Sequence, residues 1–350
     1  MKKETFNMII RFLVGLAASL LICAGMIMTE KIGSNKPLLQ QASGLKGTET
    51  VLTVDGEAVS AEEYLYMVSY SAQTLSYYGI TDLNTELGDD YTAADYVAEQ
   101  ARSQVKQQAA IRKWAADKGV TLTEEDAANL QAQKDGYGDE LDTLLKVNGI
   151  SEEQYDRLMN TSMLYSRLYD TYCAEGGSLR PSDSELSALA EEHVLMTGDV
   201  LTISTGGMDD AAKAEAKALL DDYRQRLAAA EDNASAFAEL EVGDGVVASA
   251  GVTYDGCEET ALTKAMAALG EGAVSAVIED EGAYYVVVRR ATDLSVAAEL
   301  LFGEDMSARI ENAQVELNES VFGRIDIATF YIKFSAAQQK LYTSLSTTQG

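Results

Sequence analysis

The chain has 350 residues, 47% of them hydrophobic, and its 56 acidic residues against 27 basic ones give a net charge of −29. This length is enough for two small domains with additional segments. A chain with so large a negative charge is repelled by nucleic acids and by anionic lipid surfaces, so neither is expected to be its ligand.

The amino terminus has the composition of a targeting segment. Lys2, Lys3 and Arg11 precede an apolar run over residues 12–28, which is the order found in a signal peptide or a signal anchor. The run is at the short end of the length that spans a bilayer. No good cleavage site of small residues follows it, so an uncleaved transmembrane anchor over residues 1–31 is favoured, with cleavage as the alternative. The positive-inside rule then predicts a cytoplasmic N-terminus and an extracytoplasmic body.

The three cysteines of the chain do not form a metal-binding pattern. Cys23 lies in the apolar run and follows Ile22. A lipidated cysteine normally follows a small residue, so a position in a membrane helix is favoured over a lipid anchor. Cys173 and Cys257 lack the spacing of metal ligands, and two buried thiols are favoured over a disulfide between them. We predict neither a metal nor a cofactor.

Residues 51–197 carry the start and stop signals of a mostly helical segment. They follow a tether over residues 32–50, which contains Gly, Ser and Pro but has no apolar period. Residues 51–56 alternate and end in a turn signal, which predicts a short strand. Ser60-Ala-Glu-Glu63 has the pattern of a capping box and predicts the start of a helix. Further helices are predicted over residues 93–118, 123–133, 141–149 and 151–173, and from Pro181 onward.

The first predicted helix and its end are rich in tyrosine. Tyrosines occupy positions 64, 66, 70, 77 and 78. An aromatic-rich helix is more typical of half-buried packing than of a ligand site. We therefore predict that these tyrosines serve mainly in packing.

Residues 198–292 are predicted to alternate between strands and helices. Residues 200–205 predict a strand, and residues 209–231 predict an amphipathic helix. The remaining elements are a short helix at 234–240, a strand at 252–254, a helix at 259–269 and a hairpin of strands 274–277 and 283–290. Beyond residue 292, helix is mixed with a β-like segment over residues 325–334. The predicted fold class is therefore α+β.

Three phrases of the helical segment resemble the chaperone domain of SurA and PrsA-like foldases. They are the strand and cap over residues 51–63, the phrase Lys118-Gly-Val-Thr-Leu-Thr-Glu-Glu125 and the phrase Asn148-Gly-Ile-Ser-Glu-Glu-Gln-Tyr155. The resemblance implies a mostly helical chaperone domain over residues 51–197. It also implies that residues 293–350 return to complete that domain.

The strand-rich segment resembles a parvulin-type prolyl isomerase domain. Gly198-Asp-Val-Leu-Thr-Ile-Ser-Thr205 resembles the first strand of that family. Gly272-Ala-Val-Ser275, followed by Ala283-Tyr-Tyr-Val-Val-Val-Arg289, resembles its closing strands. The resemblance implies a β-α-α-β-α-β-β module over residues 198–292, inserted into the chaperone domain.

In the parvulin family, two strand histidines lie beneath a slot for proline that is lined by Met, Phe and Leu side chains. Aligned on the motifs, Val200 and Tyr285 occupy the histidine positions, and Glu258 and Leu262 occupy the Met and Phe positions. The one histidine of the chain, His193, is predicted to be an exposed residue that closes the helix before the first strand. Even as the first histidine of the site it could not supply the pair. A carboxylate in a proline slot is costly to bury unpaired, so the resemblance implies a degenerate isomerase site.

The chain is therefore expected to be a membrane-anchored, extracytoplasmic foldase that binds unfolded exported polypeptides without directed catalysis. Its partners would be those unfolded chains and the membrane that holds its N-terminal helix. The sequence assigns no oligomeric state. The alternatives are an active prolyl isomerase with a remodelled site and an envelope scaffold protein without chaperone activity.

Overall fold

The computed structural model describes residues 37–257, 259–280 and 282–347. These residues divide into two compact units. The first unit contains the described residues up to Asp170 and from Gly303 onward, and the second unit contains Thr171–Phe302. The predicted anchor over residues 1–31 lies outside the described residues. Within the described residues, no helix is both long enough and apolar enough to cross a bilayer.

The described chain mixes helices with short strands, which confirms the α+β class. The elements up to residue 192 are α1 (Leu38–Ser43), β1 (Thr50–Val54), β2 (Glu57–Ser60), α2 (Ala61–Tyr77), β3 (Glu86–Gly88), β4 (Tyr91–Thr92), α3 (Ala93–Lys118), α4 (Glu124–Tyr137), α5 (Glu140–Asn148), α6 (Glu152–Cys173) and α7 (Asp183–Glu192). The later elements are β5 (Leu195–Ser204), α8 (Asp210–Ala228), α9 (Asn233–Ala238), β6 (Val247–Asp255), α10 (Ala261–Ala267), β7 (Ile278–Asp280), β8 (Ala283–Arg289), α11 (Leu294–Asn312), β9 (Val315–Leu317), α12 (Glu319–Phe322) and α13 (Ile327–Thr347).

The first unit contains a small sheet whose strands come from both of its chain segments. The strand order is β2-β1-β9, and β1 is antiparallel to both neighbours. Leu52 stands opposite Val59 on one side and Leu317 on the other. Helix α13 packs against α1, α2 and α3. The C-terminal segment thus supplies both a strand and a helix to the core of the first unit.

The predicted β-like segment over residues 325–334 is wrong, because most of these residues lie in α13. Phe330 and Phe334 are buried in the first unit's core, and their rings stack with centroids 5.9 Å apart. Their spacing of one helical turn places both rings on the same face of the helix. Aromatic and β-branched residues favour strands only weakly, and burial of one helical face outweighs that preference here.

Local capping signals set the start of several helices. Thr92 and Ser182 form full capping boxes with Asp95 and Glu185. Only half of the box forms at Ser60, whose Oγ accepts a hydrogen bond from the backbone N–H three residues later at 3.1 Å. The helix begins there as predicted, but the glutamate side chain of the motif is used elsewhere.

That glutamate, Glu63, belongs to a buried charge cluster in the first unit. Its side chain is 1% exposed and pairs with Arg112 at 3.3 Å and with Arg157 at 3.2 Å. Glu57 pairs with the same two arginines at 2.7 and 2.5 Å. Two carboxylates and two guanidinium groups therefore compensate one another, as buried charges require. The cluster joins β2, α2, α3 and α6.

The second unit is built on an antiparallel four-stranded sheet of order β6-β5-β8-β7. Its elements follow in the order β5-α8-α9-β6-α10-β7-β8, which is the order that the resemblance implies. Leu201 and Val286 are buried on the face covered by α8. Val200 and Val287 are buried on the opposite face, which α10 covers. The alternation of these side chains along each strand leaves the sheet with two apolar faces.

Two strands of the second unit differ from the sequence-based expectation. Strand β5 begins at Leu195 instead of Val200, because this central strand is buried on both faces and shows no alternation of polar and apolar residues. Residues 274–277 contribute only a single bridge, between Val274 and Val288. The strand that pairs with β8 and forms this edge of the sheet is β7.

Candidate functional site

Three of the four site positions assigned from the sequence meet on the α10 face of the second unit. Val200, Leu262 and Tyr285 belong to one apolar cluster. Val200 is 2% exposed and Leu262 is 6% exposed, while Tyr285 is half-buried. The other members of the cluster are Met196, Val252, Tyr254, Ala265, Met266, Ile278 and Val287. Glu258 lies outside the described residues, so its assignment to the slot stays a prediction.

This cluster occupies the region in which the resemblance implies a proline slot. Met266 and Val287 are both 0% exposed, and they pack with Val200 and Leu262. The positions are therefore filled by the protein's own side chains. A prolyl ring would have to displace part of this core in order to bind there.

The polar groups of the cluster are the phenols of Tyr254 and Tyr285. Burial raises the pKa of Tyr254, and the neighbouring Tyr285 raises it further. The Tyr254 phenol is therefore protonated at neutral pH and can act only as a neutral hydrogen-bonding group. These groups do not provide the pair of imidazoles that the family uses.

His193 closes helix α7, as predicted, and does not stand on a strand. Its backbone N–H donates to the Leu189 carbonyl at 3.0 Å. Its side chain is half-buried, whereas the sequence predicts an exposed one. The carbonyl of His193 accepts a weak hydrogen bond from the Cys257 thiol at 3.7 Å. The helix end and the turn after β6 thus meet at this residue.

Cys173 and Cys257 in the second unit form no disulfide within the part of the chain that the structure describes. Cys173 is buried and Cys257 is exposed, so the prediction of two buried thiols is wrong for Cys257, which lies in a turn. A hydrogen bond with Asp255 raises the pKa of the Cys257 thiol, and this disfavours thiolate chemistry. Among the described residues, no cluster of His, Cys, Asp and Glu could hold a metal ion.

A second candidate site lies at one end of the first unit, where α2 and α3 run antiparallel. Gln104 Nε2 donates to Ser71 Oγ at 3.2 Å, and the Arg112–Glu63 ion pair joins the helices further along. The residue further along α3, Arg112, pairs with the earlier residue of α2, Glu63, so the two helices run in opposite directions. The last turn of α2 therefore lies beside the first turn of α3.

Large apolar side chains are exposed at this end. The exposed fractions are 87% for Tyr77, 75% for Tyr78, 61% for Ile332, 40% for Leu87 and 36% for Tyr96. We call these five residues the tyrosine end. The rings of Tyr77 and Tyr78 meet edge to face with centroids 5.6 Å apart. The Tyr331 hydroxyl lies 3.4 Å from Ser76 Oγ, which brings the turn of α13 that carries Ile332 beside the end of α2.

The hairpin of β3 and β4 carries Leu87 to the same end. The N–H groups of Ala93 and Ala94 donate to the carbonyls of Thr85 and Leu83 at 2.9 and 2.8 Å. The chain that enters the hairpin is therefore tied to the first turn of α3. Tyr96 lies in that turn.

The charged residues between Lys46 and Arg102 are all acidic, whereas Lys333 follows Ile332 on α13. No Lys or Arg occurs between Lys46 and Arg102. Hydrogen bonds from Asn84 lower the pKa of Asp82. Tyr91 donates to Glu99 at 2.6 Å, and this hydrogen bond raises the pKa of Tyr91 to about 12. Between the end of α2 and Arg102, the acidic residues are Asp82, Glu86, Asp89, Asp90, Asp95 and Glu99.

The prediction that the tyrosines of α2 serve in packing holds for part of them. Tyr64 and Tyr66 are buried and Tyr70 is half-buried, but Tyr77 and Tyr78 are exposed. Sequence spacing did not indicate that Leu87, Tyr96 and Ile332, the other members of the tyrosine end, are exposed. The long stretch without a basic residue around the exposed tyrosines is the signal that could have indicated a surface here.

The comparisons with known proteins give structural neighbours only. No family model and no curated protein matches this chain. It is similar to the foldase protein PrsA from Streptococcus pneumoniae, with 19% identity, coverage of 73% of this chain and 93% of that chain, and a TM-score of 0.26. It is also similar to the peptidylprolyl isomerase PrsA from Bacillus cereus, with 15% identity, coverage of 75% of this chain and 98% of that chain, and a TM-score of 0.27. A third neighbour comes from the Campylobacter jejuni pair PEB4 and Cj1289, which are described as SurA-like chaperones. Its identity is 13%, the match covers 77% of this chain and 98% of that chain, and the TM-score is 0.22.

These neighbours are the PrsA and SurA-like foldases that the sequence motifs resemble, and the recognition made from the motifs is confirmed to that extent.

Proposed function

We propose that this chain is a chaperone that holds unfolded polypeptides at the tyrosine end, and that its parvulin-like unit does not catalyse prolyl isomerisation. The observation that carries the proposal is the exposure of Tyr77 and Tyr78, at 87% and 75%, among other exposed apolar side chains. Exposed apolar groups gathered in one place are typical of an interaction surface. Tyrosine also offers a large apolar ring together with a hydrogen-bonding group. Such a surface binds unfolded segments of many sequences.

The carboxylates around the tyrosine end define the clients that it prefers. Exposed acidic residues such as Asp89 and Asp90 attract Lys and Arg side chains. A cation also binds favourably over the face of a tyrosine ring. Unfolded segments that combine basic residues with aromatic or aliphatic ones fit both features. Because the carboxylates are exposed, this attraction should weaken as the salt concentration rises.

The filled α10 face supports the absence of isomerase activity. The barrier to rotation about a peptide bond is about 18–20 kcal/mol, and an enzyme must bind the twisted amide better than the planar one. Val200, Leu262 and Met266 fill the region where the prolyl ring would bind. A chain with one histidine cannot supply two imidazoles. The alternative of a remodelled active site depends on the hydroxyl groups of Tyr254 and Tyr285.

The same proposal includes a membrane anchor over residues 1–31 and an extracytoplasmic body. It is supported by Lys2, Lys3 and Arg11, which precede the apolar run. A reporter fused after Lys36 should be active only outside the cytoplasm, and the intact N-terminus should be recovered from membranes. A soluble species that lacks the apolar run would identify a cleaved signal peptide instead.

Suppression of client aggregation tests the chaperone function. The full-length chain in lipid nanodiscs is expected to slow the aggregation of a reduced, unfolded client followed by light scattering. The double change Tyr77→Ala with Tyr78→Ala should remove most of this effect. The matched control is Val247→Ala in the second unit, since Val247 is also apolar and 60% exposed. No suppression by the unchanged protein at several-fold excess over client would contradict the proposal and favour the scaffold alternative.

A protease-free prolyl isomerisation assay on the same preparation tests the second part of the proposal. Turnover should not exceed background. The double change Val200→His with Tyr285→His should not restore it, because Leu262 and Met266 still fill the slot region. Robust turnover that is abolished by His193→Ala would contradict both the alignment and the inactive site.

A further inference from the structure

The second unit contains a cleft that the proposed function does not use. Its volume is about 560 Å³, which is in the range of small-ligand sites. Helix α7, the start of β5, the end of α10 and the segment that follows β8 line it. The lining residues that matter for its chemistry are Glu191, Met196, Met266, Leu269, Arg289 and Leu294.

Arg289 is the cation of this cleft, and its guanidinium is held in place on one side. Its Nη1 donates to the carbonyl of Thr197 at 2.8 Å and also to the carbonyl of Arg290. Among the described residues, Nε and Nη2 have no hydrogen-bond partner, and no carboxylate pairs with this guanidinium. The side chain is thus oriented while one edge of its fork is left for a ligand.

The neighbouring Arg290 shows what Arg289 lacks. The Nε of Arg290 donates to Asp199 at 2.6 Å, and Asp199 is 2% exposed. Arg289 is also half-buried, yet none of the described carboxylates pairs with it, in a chain where acidic residues outnumber basic ones by 56 to 27. Burial lowers the pKa of Arg289, and the more distant Glu271 opposes this shift. A partly desolvated cation without a partner is stabilised when an anion binds beside it.

We propose that this cleft binds a carboxylate carried by an apolar segment of polypeptide. Nε and Nη2 form the edge with which an arginine holds a carboxylate by two parallel hydrogen bonds. Leu269 and Leu294 line the cleft and are half-buried, so they can supply an apolar wall for the neighbouring side chain of the ligand. The exposed Glu191 repels a second negative group, so a ligand with one carboxylate is favoured over a diacid.

Two sources carry this chemistry, namely the C-terminus of a polypeptide and the side chain of an internal Asp or Glu. Three rhodamine-labelled pentapeptides distinguish them by fluorescence anisotropy with the full-length chain in nanodiscs. The first ends in Leu-Phe-Leu with a free carboxylate, the second is its C-terminal amide, and the third is an amide with Glu in place of the last Leu.

At least one of the two carboxylate peptides is expected to bind on the order of tenfold more tightly than the neutral amide. Tight binding of the first peptide alone identifies the C-terminus as the ligand. Equally tight binding of the third peptide would show that the cleft also accepts the side-chain carboxylate of an internal Asp or Glu. Equal affinity for all three peptides, or binding of none, would overturn the proposal.

Variants of the arginine provide the second test. Arg289→Gln should lower the affinity for the carboxylate peptide on the order of tenfold and leave the neutral amide unchanged. Arg289→Lys keeps the charge but loses the fork, so its affinity should fall between the two. Arg224→Gln is the matched control, because Arg224 is also half-buried in this unit but pairs with Asp221. An Arg289→Gln protein that folds and still prefers the carboxylate would overturn the proposal, and if this variant does not fold, the three peptides on the unchanged chain decide.

Discussion

The tyrosine end of the first unit and the α10 face of the second unit use apolar side chains in opposite ways. Tyr77 and Tyr78 are largely exposed, whereas Met266 and Val287 are 0% exposed. The difference shows that apolar residues alone do not mark a binding surface. What matters is whether another part of the chain covers them. A sheet face can be covered by a helix such as α10, while none of the described elements covers Tyr77 and Tyr78 at the end of the hairpin of α2 and α3.

The largest predicted effect comes from breaking the buried charge cluster of the first unit, which lies toward the other end of α2 from Tyr77 and Tyr78. Glu63→Ala removes the more buried of the two acidic partners of Arg112 and Arg157 and leaves two guanidinium groups beside the single carboxylate of Glu57. We expect the free energy of unfolding to fall by about 3–5 kcal/mol, measured by denaturant titration. Lys113→Ala is the control, since it removes only an exposed pair with Asp117 and should cost less than about 1 kcal/mol. Similar small losses for both variants would show that the charge cluster does not support the unit.

A second prediction tests whether the α10 face is core or a closed active site. Met266→Ala removes a side chain that is 0% exposed, and the loss of burial together with the cavity should cost about 2–5 kcal/mol. Lys264→Ala on the same helix is the control, because its side chain is 63% exposed, and it should change stability by less than about 0.5 kcal/mol. Isomerase activity should stay at background in both variants. The appearance of turnover in Met266→Ala would show that only the filled slot, and not the missing histidines, prevents catalysis.

Substitutions at the tyrosine end are expected to weaken client binding without lowering the stability of the fold. Tyr77→Ala with Tyr78→Ala should change the free energy of unfolding by no more than about 0.5 kcal/mol, although it removes most of the aggregation suppression. Tyr64→Ala in the same helix is the contrast, since Tyr64 is 0% exposed and its loss should cost several times more. Thermal and denaturant unfolding measure the stability of both variants. A large loss of stability in the double variant would mean that these rings serve in packing, and the comparison between the two regions would fail.

The smallest predicted effect is a pH dependence in the first unit. A hydrogen bond from Arg167 and one from the Thr123 N–H lower the pKa of Asp126 to about 2, from 3.8. Because the folded-state pKa is the lower one, this contribution to stability is present above pH 3.8 and is lost as the pH falls toward 2. Asp126→Asn should therefore be less stable than the unchanged chain at neutral pH, and the difference should shrink on acidification. Denaturant titrations over this pH range measure it, and a constant difference would contradict the assignment.

Helix bounds could be predicted where the deciding residues are close together in the chain. The predicted bounds of 93–118 agree with α3, because Thr92 caps its start and Gly119, at φ 68°, ends it. Ser182 with Glu185 sets the start of α7 in the same way. The end of α4 was less well marked by local residues, and this helix extends to Tyr137 beyond the predicted 133.

The absence of a paired-histidine site also follows from the sequence, since a chain with one histidine cannot supply two. Residue spacing did not indicate that α13 is a helix through its aromatic segment, nor that Cys257 is exposed. Both depend on which side chains other elements cover. The contact between Tyr331 and Ser76 at the tyrosine end joins residues 255 positions apart.

The sequence by itself thus determined the helix caps, the order of elements in the second unit and the lack of an imidazole pair. Only the tertiary structure decided that Val200, Leu262 and Tyr285 share a filled face, that Tyr77 and Tyr78 stay exposed, and that no carboxylate in the described part of the chain pairs with Arg289. The physical reason is the separation along the chain of the groups that interact. A cap is satisfied by backbone groups within one turn of the helix, whereas burial and charge compensation depend on side chains that folding brings together from distant parts of the chain.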